Sequence, residues 1–292
     1  MFVLAHFRTE AEALHYAVSD DGYEWKALND GEAILWSDVG AESIRDPFLI
    51  EDRTGTYHLL GTDGWWSENV VHATSEDLLE WSDPELVPVM GDVPGVRNTW
   101  APECFYDREA DVYRLVWSST VDPDGGRGRS GKTDTDTDAL DHRIWTCSTP
   151  DFETFSAPSC LFDPGYNVID ACVVRLDGEY LMAFKDERGE NTVDTDHKDV
   201  RLARAPVGGG PFADVTEPVT PAPVEGPTVF HNGEEWLMLY DHFIDGHYGA
   251  SRSDDARHWE VCDSAMEFPD GLRHGDVLEV PDAVGEELRE AF

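Results

Sequence analysis

The chain has 292 residues and a formal net charge of −40, from 61 acidic against 21 basic residues. A nucleic-acid partner is not expected, because no basic stripe exists that could neutralise phosphates. The hydrophobic fraction of 40 % and the aromatic fraction of 11 % indicate a globular protein, which excludes a disordered chain.

The acidic residues are scattered over every predicted loop, and only four of the basic residues are lysines. Such self-repulsion is tolerable mainly where salt screens it, so the composition favours a halophilic protein. The N-terminus lacks the charged segment of a signal peptide, and no apolar run reaches the roughly 18 residues of a membrane span. We therefore expect a cytoplasmic protein with no membrane partner. Its five cysteines are expected to be buried free thiols.

One phrase recurs along the chain about every 50 to 60 residues, the period of a unit with several short strands. An aromatic-rich apolar run follows each of the first four copies after a turn. In chain order, the copies begin at Asp46, Glu103, Asp170, Glu225 and His274. This pattern predicts an all-β fold, a five-bladed β-propeller in which each phrase opens the inner strand of a blade.

A second phrase, a strand followed by a polar turn and an aromatic residue, also occurs five times. Four copies carry serine and aspartate at the turn, and the copy at residues 202–212 matches more weakly. Its copies span residues 15–25, 72–81, 145–155, 202–212 and 248–259. The two sets are out of step, because a copy of the second phrase precedes every inner strand. The mismatch disappears if the N-terminal strand, residues 2–7, pairs with the last inner strand, residues 274–280. We therefore predict one catalytic domain over residues 1–292, closed into a ring by its termini.

Two further segments stand apart from the repeats. Residues 121–141 form a low-complexity acidic stretch, predicted to be a solvated loop rather than a calcium loop because it lacks the glycine and glutamate of an EF-hand. The tail, residues 282–292, has the apolar spacing of a short helix packed on the outside.

The carboxylates that open the inner strands are expected to meet at one mouth of the central channel. Cleavage of a glycosidic bond requires two separated carboxylic groups, one ionised and one protonated. Asp46 follows the cation Arg45, which favours an ionised general base. Glu225 is the candidate general acid, and the negative charge of Asp170 is expected to raise the pKa of Glu225.

Apolar platforms for a sugar ring are predicted from tryptophans beside the axial positions, namely Trp65, Trp66 and Trp100. The other candidate substrate contacts are Arg45, Glu103, Asp241 and His274.

These motifs resemble glycoside hydrolase family 43, over almost the whole chain. The matching segments are Ile44–Pro47, Asn98–Glu103, Asn167–Ala171, Glu225–Pro227 and Gly271–Gly275. The resemblance is greatest to the arabinofuranosidase-type branch and implies an inverting hydrolase that needs no cofactor. It implies a general base at Asp46, a general acid at Glu225, and Asp170 as the residue that tunes and orients the acid. It also implies either a divalent ion such as calcium or a water cluster on the axis, with His274 as the candidate residue of that ion site. Glu103 departs from the family, where many members carry aspartate.

Two other readings of the motifs remain open. A non-catalytic sugar-binding propeller would keep the tryptophans but has no use for spaced acids. A retaining fructan-type furanosidase would use Glu103 as its acid/base. The sugar itself is not fixed by the sequence, and terminal arabinofuranosides, xylosides or galactosides of plant-type glycans are the candidates.

Overall fold

A computed structural model describes residues 1–122 and 140–292 of the chain. Most of the acidic segment predicted at residues 121–141 lies outside these residues. The described strands, numbered in chain order, are β1 Phe2–Arg8, β2 Ala11–Ser19, β3 Lys26–Ala27, β4 Arg45–Glu51, β5 Tyr57–Thr62, β6 Val70–Ser75, β7 Glu85–Val87, β8 Trp100–Asp107, β9 Val112–Ser119, β10 Arg143–Thr149, β11 Ser159–Phe162, β12 Val168–Leu176, β13 Glu179–Asp186, β14 Val200–Ala205, β15 Glu225–His231, β16 Trp236–His242, β17 His247–Ser253, β18 Glu260–Val261 and β19 Arg273–Glu279. Short 3-10 turns lie at Asn29–Gly31 and Asp263–Ala265, and the α-helix α1 is Asp282–Ala291. No helix among the described residues is long and apolar enough to cross a bilayer.

The strands form five antiparallel sheets, which confirms the predicted five-bladed propeller. Their strand orders are β19-β1-β2-β3, β4-β5-β6-β7, β8-β9-β10-β11, β12-β13-β14 and β15-β16-β17-β18. The innermost strands are β4, β8, β12, β15 and β19. Each of these contacts the next, and β19 contacts β4, so the ring is complete.

The ring is closed by the two ends of the chain, as the out-of-step repeats predict. β1 pairs with β19 over the register Phe2 to Glu279 through Phe7 to Arg273. The opposite edge of β1 pairs with β2. The pairing places an N-terminal strand between two neighbours in one blade, so neither β1 nor β19 leaves an open edge there.

The second repeated phrase is a hydrogen-bonded turn at the end of the third strand of a blade. In one blade the Ser75 hydroxyl accepts hydrogen bonds from the amides of Asp77 and Leu78, and the Asp77 carboxylate accepts from the amides of Leu79 and Glu80. These bonds satisfy the turn's amides without a neighbouring strand, which explains why serine and aspartate recur at this spacing.

The tail is helical, as predicted, and it is held to the propeller by a buried side chain and an ion pair. Leu288 of α1 is fully buried in the cluster that also contains Val3 and Leu14. The N-terminal amino group of Met1 lies 3.2 Å from the Asp282 carboxylate. The helix therefore packs over the closing blade.

A bulge near the mouth of the channel changes the expected register of the inner strands. The pairing shifts after Arg45, Trp100, Ile169 and Glu225. The residue that follows each of them has a left-handed backbone, with φ of 48° at Asp46, 47° at Ala101, 54° at Asp170 and 58° at Gly226.

The repeated phrases therefore do not align as the sequence suggests. The equivalent bulge positions are Asp46, Ala101, Asp170 and Gly226. Glu225 lies one residue before this position, and Glu103 lies two residues beyond it. An extra residue in a bulge rotates its neighbours to other faces of the strand, so the acids lie at three different levels along the axis.

Candidate active site

A cavity of about 310 Å³ opens at one end of the axis. Its walls carry charged, polar and aromatic side chains from all five blades. The lining residues are Thr9, Arg45, Asp46, Thr62, Gly64, Trp65, Trp100, His142, Asn167, Ile169, Asp170, Lys185, Glu187, Asn191, Glu225, Phe243, Arg273 and His274. Asp46, Asp170, Glu225 and His274 are thus brought together, as the sequence analysis expects.

Asp46 is fixed by the neighbouring strand of its own blade. The Thr62 hydroxyl donates to Oδ2 of Asp46 at 2.7 Å while accepting from the Ala101 amide at 2.8 Å. This second bond directs the hydroxyl proton to the carboxylate. Nδ1 of His274 lies 3.4 Å from the other oxygen, Oδ1. The Asp46 carboxylate is therefore oriented by groups on three blades.

Arg45 does not act on Asp46 in the way its position in the sequence suggests. Its guanidinium group forms an ion pair with Glu12 at 2.5 Å. The same group lies 4.6 Å from the centre of the Phe7 ring and 4.9 Å from that of Trp65. Arg45 therefore supports the aromatic wall of the cavity.

Asp170 is buried, with 6 % of its surface exposed. Its Oδ2 accepts a hydrogen bond from the Gly226 amide at 3.1 Å and lies 4.0 Å from Nδ1 of His274. Burial raises the pKa of Asp170 to about 6, although the charge of His274 opposes that rise. At position 226 a Cβ would lie 2.4 Å from Cδ2 of His274. Together with the positive φ, this close approach explains the glycine of the Glu-Gly-Pro motif.

Glu225 is held by two cations. Nζ of Lys185 lies 3.0 Å from Oε2, and the Arg273 guanidinium lies 3.1 Å from Oε1. Burial raises the pKa of Glu225, but these ion pairs outweigh it and lower the pKa to about 2. The raised pKa thus belongs to Asp170 and the lowered one to Glu225, which is the reverse of the electrostatic expectation from the sequence.

The residues that support the acids occupy equivalent positions in four blades. Each lies near the end of the blade's second strand that is closest to the cavity. Thr62, Ser118, Lys185 and Asp241 each pair with the residue just before a bulge. The Ser118 hydroxyl accepts from the amide of Asp170 at 3.0 Å. Sequence reasoning missed Thr62, Ser118 and Lys185. The available signal was a polar residue at the end of each apolar second-strand run.

Asp241, a predicted substrate contact, lies behind Arg273 and does not line the cavity. It is fully buried, and its Oδ2 accepts from Nε of Arg273 at 2.6 Å. Burial, followed by the charge of Glu225, raises the pKa of Asp241 to about 6, although Arg273 opposes that rise. Asp241 therefore orients Arg273 toward Glu225.

The aromatic wall consists of Trp65 and Trp100. Their rings meet edge to face at 5.5 Å, and Nε1 of Trp100 donates to the backbone oxygen of Trp65 at 3.0 Å. Trp65 is 47 % exposed, so its face is free to meet a ligand. The remaining predicted platform, Trp66, does not line the cavity, and the guanidinium group of Arg97 lies 5.6 Å from its ring centre.

Glu103 was predicted to lie at the mouth of the central channel. It lies deeper along the channel axis instead and does not line the cavity. It is buried, as is Asp276 of the last inner strand. Burial and the charge of Asp276 raise the pKa of Glu103 well above its ordinary value. The Asp276 carboxylate accepts from the Thr228 hydroxyl at 2.7 Å. These are oxygen donors of the type that calcium prefers, so the chain offers carboxylates for an axial ion below His274.

Comparison with known proteins places this arrangement in a family. An α-L-arabinofuranosidase of Bifidobacterium longum subsp. longum is 27 % identical over 252 residues, which cover 76 % of this chain and 24 % of that protein. The chain thus spans about a quarter of the length of this curated relative.

Solved structures share the fold at low identity. The α-L-arabinofuranosidase from Lactobacillus brevis superposes with a TM-score of 0.56 at 14 % identity, over 75 % of this chain and 72 % of that one. A Bacillus subtilis arabinanase gives a TM-score of 0.55 at 15 % identity, over 84 % and 82 %. The family model for glycosyl hydrolase family 43-related proteins, described as a probable glycosyl hydrolase domain, matches residues 1–286. Since this match spans nearly the whole chain, the protein belongs to the family 43-related glycosyl hydrolases.

Proposed function

We propose that the protein is an inverting glycoside hydrolase that releases terminal sugars, foremost α-L-arabinofuranosyl groups, from plant-type oligo- or polysaccharides. The observation that carries the proposal is the convergence of Asp46, Asp170 and Glu225 on one cavity with an aromatic wall. The similarity to the Bifidobacterium α-L-arabinofuranosidase supports the choice of sugar. The proposal treats residues 1–292 as a single catalytic domain.

In this mechanism Asp46 accepts a proton from a water molecule that attacks the anomeric carbon. Glu225 donates a proton to the departing glycosidic oxygen, and the product has the inverted configuration. The hydrogen bond from Thr62 and the proximity of His274 hold the Asp46 carboxylate in a fixed orientation for this role. Asp170 orients the acid's strand through its bond to the Gly226 amide.

The acid role of Glu225 requires a change at Lys185. The Lys185 ammonium pairs with both Glu187 and Glu225. A sugar that enters between Lys185 and Glu225 would leave the ammonium with Glu187 alone. The loss of that ion pair would raise the pKa of Glu225, because only one of the two ion pairs, that with Arg273, would then oppose the effect of burial. Substrate binding would thus prepare the acid.

We also propose a divalent ion such as calcium on the axis of the propeller. Glu103 and Asp276 are the residues that would hold it, with His274 on the level above. A bound cation would supply positive charge that stabilises these buried carboxylates. The cytoplasmic location and halophilic origin expected from the sequence stay predictions.

The test is a panel of aryl α-L-arabinofuranosides, β-xylosides and galactosides assayed in molar salt, followed by NMR of the first-formed sugar. We expect arabinofuranoside hydrolysis with inversion. Asp46→Asn and Glu225→Gln should nearly abolish hydrolysis of natural glycosides, whereas Asp38→Asn, at an exposed carboxylate, should not. On an activated aryl leaving group, which needs little protonation, Glu225→Gln should retain more activity than Asp46→Asn.

Two outcomes would contradict the proposal. Retention of the anomeric configuration would remove Asp46 as a base and favour the fructan-type mechanism. Sugar binding without turnover on any member of the panel would favour the non-catalytic propeller.

A further inference from the structure

We propose that His242, His247 and Asp263 form a binding site for a divalent transition metal of the zinc type, outside the active-site cavity. The three side chains place one potential ligand atom each within 4.8 Å of one another. Zinc is bound by histidine nitrogens and carboxylate oxygens, and three protein ligands plus water are a common set for it. The site is independent of the carboxylates assigned to glycoside cleavage.

The fold brings these residues together by strand pairing. His242 ends β16 and His247 begins β17, and the two are directly opposite in the antiparallel register. Directly opposite side chains project from the same face of a sheet. The imidazole rings are stacked with centroids 4.2 Å apart. His247 is exposed, so its ring can rotate to converge with that of His242 on one ion.

His242 is 9 % exposed, and its Nε2 has no hydrogen-bond partner among the described residues. That nitrogen lies 3.3 Å from Oδ2 of Asp263. The contact with Asp263 is not a well-aligned hydrogen bond, and a metal ion between the two atoms would satisfy both.

The carboxylate of Asp263 is oriented by its other oxygen. Oδ1 accepts from the Tyr240 hydroxyl at 3.1 Å and from the Ala250 amide at 2.8 Å. This leaves Oδ2 directed toward His242. Hydrogen bonds to the second oxygen of a ligating carboxylate are the usual outer support of a metal site.

Gly249 provides the space between the ligands. A Cβ at this position would lie 2.6 Å from both Nε2 of His242 and Oδ1 of Asp263. Any larger residue would therefore press on two of the three groups that face the ion. The glycine is not required by backbone conformation, since its φ is not in the left-handed region.

The chain contains a second cluster of the same residue types, Asp186, His197 and Asp199. There the carboxylates already have cationic partners, because Arg188 and Arg201 pair with Asp186 at 2.5 Å and 3.1 Å. A metal ion would have to displace two guanidinium groups. No lysine or arginine of the described residues forms an ion pair with the cluster at His242, so it is the better metal site.

Metal binding there would reach the active site through one hairpin. His242 and His247 flank the turn between β16 and β17, and Phe243 of that turn lines the cavity. Nζ of Lys185 lies 4.4 Å from the Phe243 ring centre. An ion that joins both ends of the turn would restrict Phe243, and with it the position of Lys185 beside Glu225.

The experiment titrates the chelator-treated full-length chain with Co²⁺ in molar KCl and follows its ligand-field absorption, then displaces the Co²⁺ with Zn²⁺. The test variant is His247→Ala, an exposed position at which folding should be preserved. The control is His258→Ala, since His258 is an exposed histidine beside the single carboxylate of Asp255, at 2.8 Å. Melting temperatures verify that both variants fold.

We expect wild type and His258→Ala to bind a single tight equivalent with the same affinity. His247→Ala should weaken that affinity by at least about 10-fold, the loss caused by removing even an outer partner of a metal ligand. Gly249→Ala, which keeps all three ligands, should weaken it as well. Equal affinity for wild type and His247→Ala, or only weak binding spread over the acidic surface, would overturn the proposal.

Discussion

The ammonium of Lys185 lies 3.0 Å from Oε2 of Glu225 and 2.9 Å from Oε2 of Glu187, so one buried cation serves two carboxylates. Lys185 is 2 % exposed, and the two carboxylates raise its pKa despite its burial. It is thus charged at every pH at which the enzyme would work. The positive charge of Lys185 therefore lowers the pKa of Glu225 throughout that pH range. Removing this charge by substitution of Lys185 tests whether Glu225 is the acid.

Replacing Lys185 by methionine should move the basic limb of the pH–activity profile to higher pH. The acid is active when protonated, so activity falls as the pH rises through the pKa of Glu225. Loss of a cation at ion-pair distance raises a carboxyl pKa by about one to three units. The measurement is kcat/KM against pH on an aryl arabinofuranoside.

The matched control is Lys198→Met. Lys198 is also buried and pairs with Glu187 at 2.6 Å, but it has no contact with Glu225. We expect an unchanged basic limb for this variant. An equal shift in both variants would indicate a general effect of lost charge and would remove Lys185 from the description of the acid.

Asp170→Asn distinguishes a tuning residue from a proton donor. If Asp170 tunes the acid, removal of its negative charge lowers the pKa of Glu225, and the basic limb moves to lower pH with activity retained. Since the pKa of Asp170 itself is raised to about 6, it could instead carry the transferred proton. Loss of activity on natural glycosides with retention on activated aryl substrates would assign the acid role to Asp170.

Much of the fold follows from the sequence because strands repeat with visible periods. The two phrases, their five copies and their offset predict the blades and the pairing of β1 with β19. What sequence reasoning could not predict is the bulge in the inner strands. A single left-handed residue, such as Asp46 or Asp170, leaves no mark in the apolar pattern, although it decides which neighbours face the axis.

The same bulge explains the mixed outcome for the predicted site. Asp46 and Asp170 line the cavity because they occupy the bulge, and His274 lines it beside a similar register shift between β1 and β19. Glu103 lies deeper along its strand and does not line the cavity. The partners of Glu225 were not predicted, because an ion pair between β13 and β15 joins residues 40 positions apart. The only signal in the sequence was that Lys185 is a single cationic residue near the end of an otherwise apolar strand.

Trp65→Ala should raise KM for arabinosides several-fold and leave kcat nearly unchanged. The Trp65 ring is half-exposed at the cavity wall, so it can supply binding energy that is equal in the ground state and the transition state. Trp36→Ala is the control, because Trp36 is 59 % exposed and does not line the cavity. A fall in kcat alone would indicate that Trp65 positions Arg45 rather than the sugar.

Removal of residues 1–8 should destabilise the protein far more than removal of residues 282–292. The first truncation eliminates β1, which bonds to both β2 and β19 and buries five apolar side chains: Phe2, Val3, Leu4, Ala5 and Phe7. The second chiefly exposes the surface under Leu288, a loss of about 2 to 3 kcal/mol. Thermal unfolding compares the two, and equal melting temperatures would contradict ring closure as a source of stability.

The stability of the whole chain should depend on salt. A net charge of −40 on 292 residues repels itself over a range of about 10 Å at 0.1 M salt, but over only about 3 Å at 1 M. Lowering KCl below a few tenths molar should therefore reduce the melting temperature and the activity together. Sucrose at matched osmolality is the control, because it stabilises by exclusion without screening charge. Restoration by sucrose as complete as by KCl, or full stability in dilute buffer, would show that repulsion does not limit folding and that the acidic surface serves another purpose.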